Sequence, residues 1–436
     1  MSASEFARRR RQLMRLMGER SIAILPAAPE RSRNRDVVYP FRQDSDFVYL
    51  TNFTEPQSVA VLVPGRDSGE FILFCRDRDP ERETWDGRRA GQEGAVRDFG
   101  ADDAFGIEDI DDILPGLMEH GERVFYTMGI HPQFDQQMIG WMNTLRARGQ
   151  ASDRQAPQEI VALDHLLHDM RLYKSRSELV TMRRSAKIAT TAHERGMRVC
   201  RPGLNEAAIE AEHLHEFRRH GATWSYPPIV GGGENGCILH YIENNQPLND
   251  GDLVLVDAGC ELDYYASDIT RTFPVNGRFS AAQRTIYNIV LDAQLASIEA
   301  AVCGNDWNAP HLAAVKTLTK GLLKVGLLEG TLKSCLADES YKRFYMHRTS
   351  HWLGMDVHDV GDYRVGDTWR ELEPGMVLTI EPGIYIPPGM KGVAKKWWGI
   401  GVRIEDDVAV TRKGPDVLSK HLVKTVDDIE ALMANA

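Results

Sequence analysis

The sequence predicts an α/β protein of two domains, the second built on an internal repeat, and three observations carry this prediction. The chain has 436 residues, more than one compact core usually holds. In its first part, short apolar stretches at residues 21–25, 58–63 and 71–75 alternate with helical stretches, with Pro, Gly and Asp clusters between them. In its second part, Gly251-Asp-Leu-Val-Leu-Val-Asp257-Ala-Gly259 is echoed by Gly375-Met-Val-Leu-Thr-Ile-Glu381-Pro-Gly383. Each copy opens on glycine, runs through an apolar strand, closes on an acid and returns to glycine.

The composition turns from the α/β pattern to an amphipathic, charged helix around residues 170–178, which is expected to continue through the 190s. Arg201-Pro202-Gly203 ends it, and a second helix is expected over residues 205–220. The domains are therefore set at residues 1–170 and 171–436. After each acid of the echo comes a second acidic strand, Ser267-Asp268-Ile-Thr270 and Arg403-Ile-Glu405-Asp406, so the two copies are expected to meet about a pseudo-twofold axis.

Hydrophobic residues make up 42% of the chain and charged residues 26%, an ordinary balance for a globular protein. A formal net charge of −11 argues against nucleic acid and anionic lipid as partners and suits an acidic pocket that holds cations. The six cysteines are scattered with no CxxC pair, which excludes a zinc ribbon or thioredoxin motif and suits a reducing compartment. No apolar run approaches the length of a membrane span, and the basic run Arg8–Arg11 is not followed by a secretory core. A cytoplasmic protein without membrane contact is expected.

An acid closing a strand such as Leu253-Val-Leu-Val256 costs several kcal/mol to bury unless it is paired or binds metal. Asp257 alone reads more often as a turn residue or a helix cap than as a ligand. Four acids in repeated positions (Asp257, Asp268, Glu381, Glu405) favour ligation. Strand alternation puts Asp268, Thr270 and Thr272 on one face, and Arg403 with Glu405 on another. Arg403 then either supports a metal-bound carboxylate or forms a surface pair with Glu405 or Asp406. His347, His351 and His358 cluster, and His240 stands in Cys237-Ile-Leu-His-Tyr241. His347 and His351 have the spacing of a shared helix face, but the segment is not HExxH. Four carboxylates and a histidine neutralise two divalent cations, and oxygen-rich ligation favours manganese over a thiolate-type zinc site. Such a pair of metals activates water for attack on a carbonyl. Gly231-Gly-Gly-Glu-Asn-Gly236 lacks the Gly-Lys-Ser/Thr of a phosphate loop and reads as a tight loop that positions His240.

Taken in order, these segments resemble the pita-bread metallopeptidases, and within them the aminopeptidase P family. The resemblance runs through Val230-Gly-Gly-Gly-Glu-Asn-Gly-Cys-Ile-Leu-His240, Ser267-Asp268-Ile-Thr-Arg-Thr-Phe273, Met346-His347-Arg-Thr-Ser-His351, Val357-His358-Asp-Val-Gly361, Ile380-Glu381-Pro-Gly383 and Gly401-Val-Arg403-Ile-Glu405. Tyr39-Pro-Phe-Arg-Gln-Asp-Ser-Asp-Phe47 and Trp85-Asp-Gly-Arg-Arg89 extend it to the leading domain. It implies a ribonuclease-H-like α/β domain, a pita-bread catalytic domain and a dinuclear manganese site held by Asp257, Asp268, His351, Glu381 and Glu405, with Asp268 and Glu405 bridging. Glu381 would move the proton of the attacking water, His240 and His358 would face the substrate, and His347 and Arg403 would stand close by. Tyr385 and Arg348 are placed on the substrate side. A homodimer or tetramer is implied, in which Asp36 and Trp85 reach a neighbouring site. The expected activity is removal of the first residue from peptides with proline second.

Such a bond has no N–H on its proline side, so a site that polarises the carbonyl without needing that donor suits it. A proline dipeptidase is the alternative with the same ligands. A non-catalytic peptide-binding module or a metal-free hydrolase would be expected to have lost ligands that are all present here. Arg348 stands where the family usually has glycine, and would cost about 1–2 kcal/mol if that backbone required positive φ.

Overall fold

The computed structural model describes residues 1–119, 121–149 and 156–435, and the chain divides into two compact units, Met1–Met170 and Arg171–Ala436. In the first unit six strands form a mixed sheet. Ser21–Pro26 pairs antiparallel with Val59–Leu62, which pairs antiparallel with Phe71–Cys75, while the outer strands Asp103–Gly106, Arg123–Phe125 and Glu159–Val161 add in parallel. Period-2 alternation sends Ile22, Ile24, Val59, Val61, Ile72 and Phe74 into one core with Leu114, Met118, Met138 and Trp141 from the helices Ile110–Met118 and Pro132–Gly149. The three expected strands form within a residue or so of their anticipated ends.

The helix expected from residue 170 onward is two helices. Asp164–Leu172 ends, residues 173–175 are not helical, and Arg176–Val199 begins anew. Ser175 caps the second helix reciprocally with Glu178, and the Lys174 N–H donates to the Gly375 carbonyl at 2.9 Å, a partner that a continuous helix would not allow. The following helix, Glu206–Arg219, opens on Asn205, whose side chain accepts from the Ala207 N–H.

The echo in the sequence is an echo in the structure. Leu253–Asp257 pairs antiparallel with Thr270–Pro274 so that Asp257 faces Thr270, and Val377–Ile380 pairs antiparallel with Asp406–Thr411 so that Ile380 faces Asp406. In each half an acid leaves the end of one strand beside the acid that precedes its partner. The closing glycines of the echo sit where a side chain cannot. A Cβ on Gly259 would lie 1.7 Å from the Ser267 carbonyl oxygen, and one on Gly383 would lie 2.6 Å from the Tyr385 hydroxyl. Val254, Val256, Phe273, Ile384, Val402 and Ile404 share a core with Ile286, Val290 and Ala293 of the helix Ala281–Ala300.

Candidate metal centre

The strands deliver four carboxylates to one place. Asp257, Asp268 and Glu405 are 9%, 5% and 1% exposed. Asp268, His351 and Glu405 bring ligand atoms within 4.8 Å of one another. The His351 Nε2 lies 3.2 Å from Asp268 Oδ2 and 3.7 Å from Glu381 Oε1. Its Nδ1 donates to the Trp352 carbonyl at 3.0 Å, which fixes the tautomer and turns Nε2 toward the acids. The segment from His347 to His358 is an irregular loop, not a helix, so these histidines reach the site from a bend and not from one helical face.

A layer of neutral and cationic groups holds the acids. The Tyr226 hydroxyl lies 2.5 Å from Asp257 Oδ1 and 2.6 Å from Asp268 Oδ1. Thr270 Oγ1 donates to Glu405 Oε2 at 2.7 Å and accepts from Arg403 Nε at 3.2 Å. Arg403 is buried and donates through Nη2 to Asp257 Oδ2 at 2.6 Å and through Nη1 to the Tyr385 hydroxyl at 3.0 Å. It is therefore a support for Asp257, and the surface pair with Glu405 or Asp406 does not form. Tyr385 donates onward to His347 Nε2 at 2.8 Å, and His347 Nδ1 donates to the Arg348 carbonyl at 2.7 Å. Tyr385, expected on the substrate side, is 1% exposed and stands behind His347 and Arg403, outside the residues that line the cavity.

The electrostatics describe a site short of positive charge. Burial and the neighbouring Asp268 push the Glu405 carboxyl well above its ordinary range. Burial likewise lifts Glu381 from 4.5 to about 7, against the pull of His351. Burial would raise Asp268 too, but the hydrogen bond and charge of His351 hold it below its usual value. For His351, burial is overcome by Asp268 and Glu381, which raise it to about 9. Among the described residues, the cations that face these four acids are Arg403 and His351, with the His347 ring, held neutral by burial, 3.8 Å from Glu381, so divalent cations are the natural complement, and the oxygen-rich donor set with an imidazole Nε2 turned into it fits them.

The acids open into a cavity of about 510 Å³, which His240, His347, Arg348 and His358 also line, with Trp307, Tyr363 and Trp369 as apolar wall. The His358 ring packs 4.2 Å from that of His351, and partial burial beside that cation holds it below its ordinary pKa. Gly233–Cys237 forms a short 3-10 turn ahead of His240. Arg348 has no positive φ, so the side chain where the family usually has glycine carries no backbone strain. Asp36 and Trp85 belong to the amino-terminal unit, where both are exposed. The residues that sequence reasoning missed are Tyr226, the role of Thr270, and the wall of Trp307, Tyr363 and Trp369. Only Thr270 left a signal, its shared strand face with Asp268.

A buried carboxylate cage on a repeated strand frame, with one imidazole turned into it and an open cavity above, defines a metal-dependent hydrolase. Residues 180–412 match metallopeptidase family M24 and residues 6–126 match the aminopeptidase P N-terminal domain, and the chain belongs to that family. It is 45% identical to the Xaa-Pro aminopeptidase of Escherichia coli, covering 100% of this chain and 99% of that protein, and 36% identical to human Xaa-Pro aminopeptidase 3, covering 100% and 87%. Among solved structures it is similar to the Pseudomonas aeruginosa aminopeptidase PepP, with 59% identity, a TM-score of 0.99 and 100% and 98% of the chains covered.

Proposed function

We infer that this chain is a metal-dependent Xaa-Pro aminopeptidase that releases the first residue of peptides carrying proline second. The observation that carries the reading is the convergence of Asp257, Asp268, Glu381, Glu405 and His351 Nε2 beneath a cavity lined by three further histidines. The relatives bearing that name over the whole chain support it. Asp257, Asp268, His351, Glu381 and Glu405 would hold two divalent ions, which we propose to be manganese because four of the five donors are carboxylates. When bound, such ions polarise the scissile carbonyl and acidify water.

The chain's own residues do the rest. Glu381, at the edge of the cage and in the cavity lining, accepts the proton of the attacking water and returns it to the leaving nitrogen. His240 and His358, exposed in the cavity, hydrogen-bond the substrate carbonyls. His347 has both ring nitrogens occupied, so it offers the substrate a ring surface and no donor, which suits a pyrrolidine. Arg403 keeps Asp257 oriented and pulls against the burial that raises its carboxyl. The free amino terminus is drawn to the acids, which restricts cleavage to the first bond.

We further propose a homodimer or tetramer in which Asp36 and Trp85 of one chain reach a neighbour's site. The 87% exposure of Trp85 supports a covering partner. A cytoplasmic location is supported by the six free thiols. The test is a pair of peptide series, Xaa-Pro-Xaa and Xaa-Ala-Xaa, hydrolysed by manganese-loaded protein. Strong preference for the first is expected, and equal rates would make the chain a general aminopeptidase.

A further inference from the structure

Two guanidinium groups share one indole at the cavity wall. The Arg348 Cζ lies 5.0 Å from the Trp369 ring centroid and the Arg364 Cζ lies 4.1 Å from it. Trp369 and Arg364 come from a two-stranded hairpin, Arg364–Val365 against Thr368–Trp369, while Arg348 follows His347 in the loop that carries His351. The Arg348 Nη2 donates to Asn308 Oδ1 at 2.6 Å, and the Arg364 Nη1 donates to the Asp367 carbonyl at 3.3 Å. Among the described residues neither side chain is paired with a carboxylate. The contrast with Arg403 is direct. That guanidinium lines the same cavity, but Asp257, Thr270 and Tyr385 engage it, so it has little left to offer a ligand.

An unpaired cation beside a cavity in a chain of net charge −11 needs a physical reason. Stacking on Trp369 and the bond to Asn308 remove most of the rotamer freedom of Arg348, so binding an anion there costs little further ordering. The planar fork favours a carboxylate. The substrate's first residue and scissile bond occupy the cage end of the cavity, so the chain beyond the proline, with any carboxylate it carries, extends away from the cage, where Arg348 is the guanidinium of the lining not committed to the metal-binding acids.

We propose that Arg348, braced by Trp369 and Asn308 and reinforced by the charge of Arg364, is a specificity-determining subsite for a carboxylate that lies beyond the proline of the substrate. The favoured substrates are then short peptides whose own carboxyl terminus reaches it, or longer ones with an acidic residue just past the proline. This rests on the Xaa-Pro aminopeptidase reading.

The experiment compares three peptides with the manganese-loaded enzyme: an Xaa-Pro-Xaa free acid, its amide, and an amide carrying glutamate in third position. In wild type the free acid should exceed the amide in kcat/KM by about two- to fivefold, chiefly through KM, as an exposed or half-exposed pair allows. Arg348→Gln should bring that ratio toward one, Arg348→Lys should keep part of it, and Arg364→Gln should lower it less. The ratio should shrink as salt rises. Restoration of the preference by glutamate in the amide would identify a side-chain carboxylate as an equal ligand, and its failure would identify the chain terminus. A wild-type ratio of one, or a ratio untouched by Arg348→Gln, overturns the proposal. Absence of hydrolysis of all three peptides would instead overturn the aminopeptidase reading itself.

Discussion

Glu405 and Asp406 are consecutive buried acids on opposite faces of one strand junction, and they live in opposite electrostatic worlds. Asp406 is saturated. Its Oδ1 accepts from Arg271 and Ser419, each at 2.7 Å, and its Oδ2 accepts from Gln294 and Lys424, each at 2.8 Å. Burial would raise it, but Arg271 and Lys424 hold it far below the usual carboxylate range. Glu405 has Thr270 as its hydrogen-bond donor and three other acids as neighbours, and burial and those charges push it far above that range. Asp359 repeats the Asp406 pattern, with Arg171 at 2.6 Å and Lys174 at 2.9 Å. The lesson is that a buried acid whose lone pairs are all used is part of the frame, and one left short of positive charge is waiting for a cation.

The comparison breaks most readily at the ligands. Asp268→Asn or Glu405→Gln is expected to lower kcat/KM at least about 100-fold, since even partners of ligands commonly cost ten- to a hundredfold. Near-normal turnover at saturating metal would remove the residue from the ligand set.

Stability separates the neighbours next. Asp406→Ala leaves Arg271 buried without its carboxylate and should cost about 3–5 kcal/mol in urea unfolding. Glu405→Gln in metal-free protein should cost nothing or stabilise, because it replaces an acid whose charged form burial and three neighbouring acids disfavour. Similar losses in both variants would mean that the two acids are equally structural.

Tyr226→Phe should weaken metal binding about ten- to a hundredfold while the fold persists, since its hydroxyl contacts both Asp257 and Asp268. Equilibrium dialysis against manganese measures it, and unchanged affinity would assign the hydroxyl to packing alone.

The smallest effect is a pair of opposite pH slopes. Asp406 has a depressed folded pKa, so its contribution is present above the unfolded value of 3.8 and is lost as pH falls below it. Glu381 is raised from 4.5 to about 7, so in metal-free protein its contribution is present below 4.5 and is lost as pH rises through 7. His351, raised from 6.5 to about 9, continues that loss at higher pH. Thermal melts of chelated protein should therefore fall in midpoint from pH 5 to pH 8, and saturating manganese should flatten or reverse the trend. A midpoint rising over that range without metal would contradict the charge shortage.

Much of this was legible in the sequence because the decisive acids are placed by local spacing. Strand, acid, turn and second acid recur in two copies, and period-2 alternation already turned Asp268 and Thr270 to one face. What stayed hidden depends on contacts between distant segments. Tyr226 is not a metal-ligand type, and pairings 31 and 42 residues away bring it to Asp257 and Asp268. Trp307 reaches the cavity from a turn and Trp369 from a distant hairpin strand. The break before Arg176 was written in Ser175-Arg-Ser-Glu178, a capping box, but the amphipathic pattern on either side masked it.

The most direct test of the central claim is to chelate the protein fully and return manganese stepwise, following bound metal by elemental analysis and hydrolysis of an Xaa-Pro-Xaa peptide on the same samples. Two ions per chain should bind, with activity absent at the start and rising as they do. Full hydrolysis by protein that holds no metal would contradict the assignment of Asp257, Asp268, His351, Glu381 and Glu405 as its ligands.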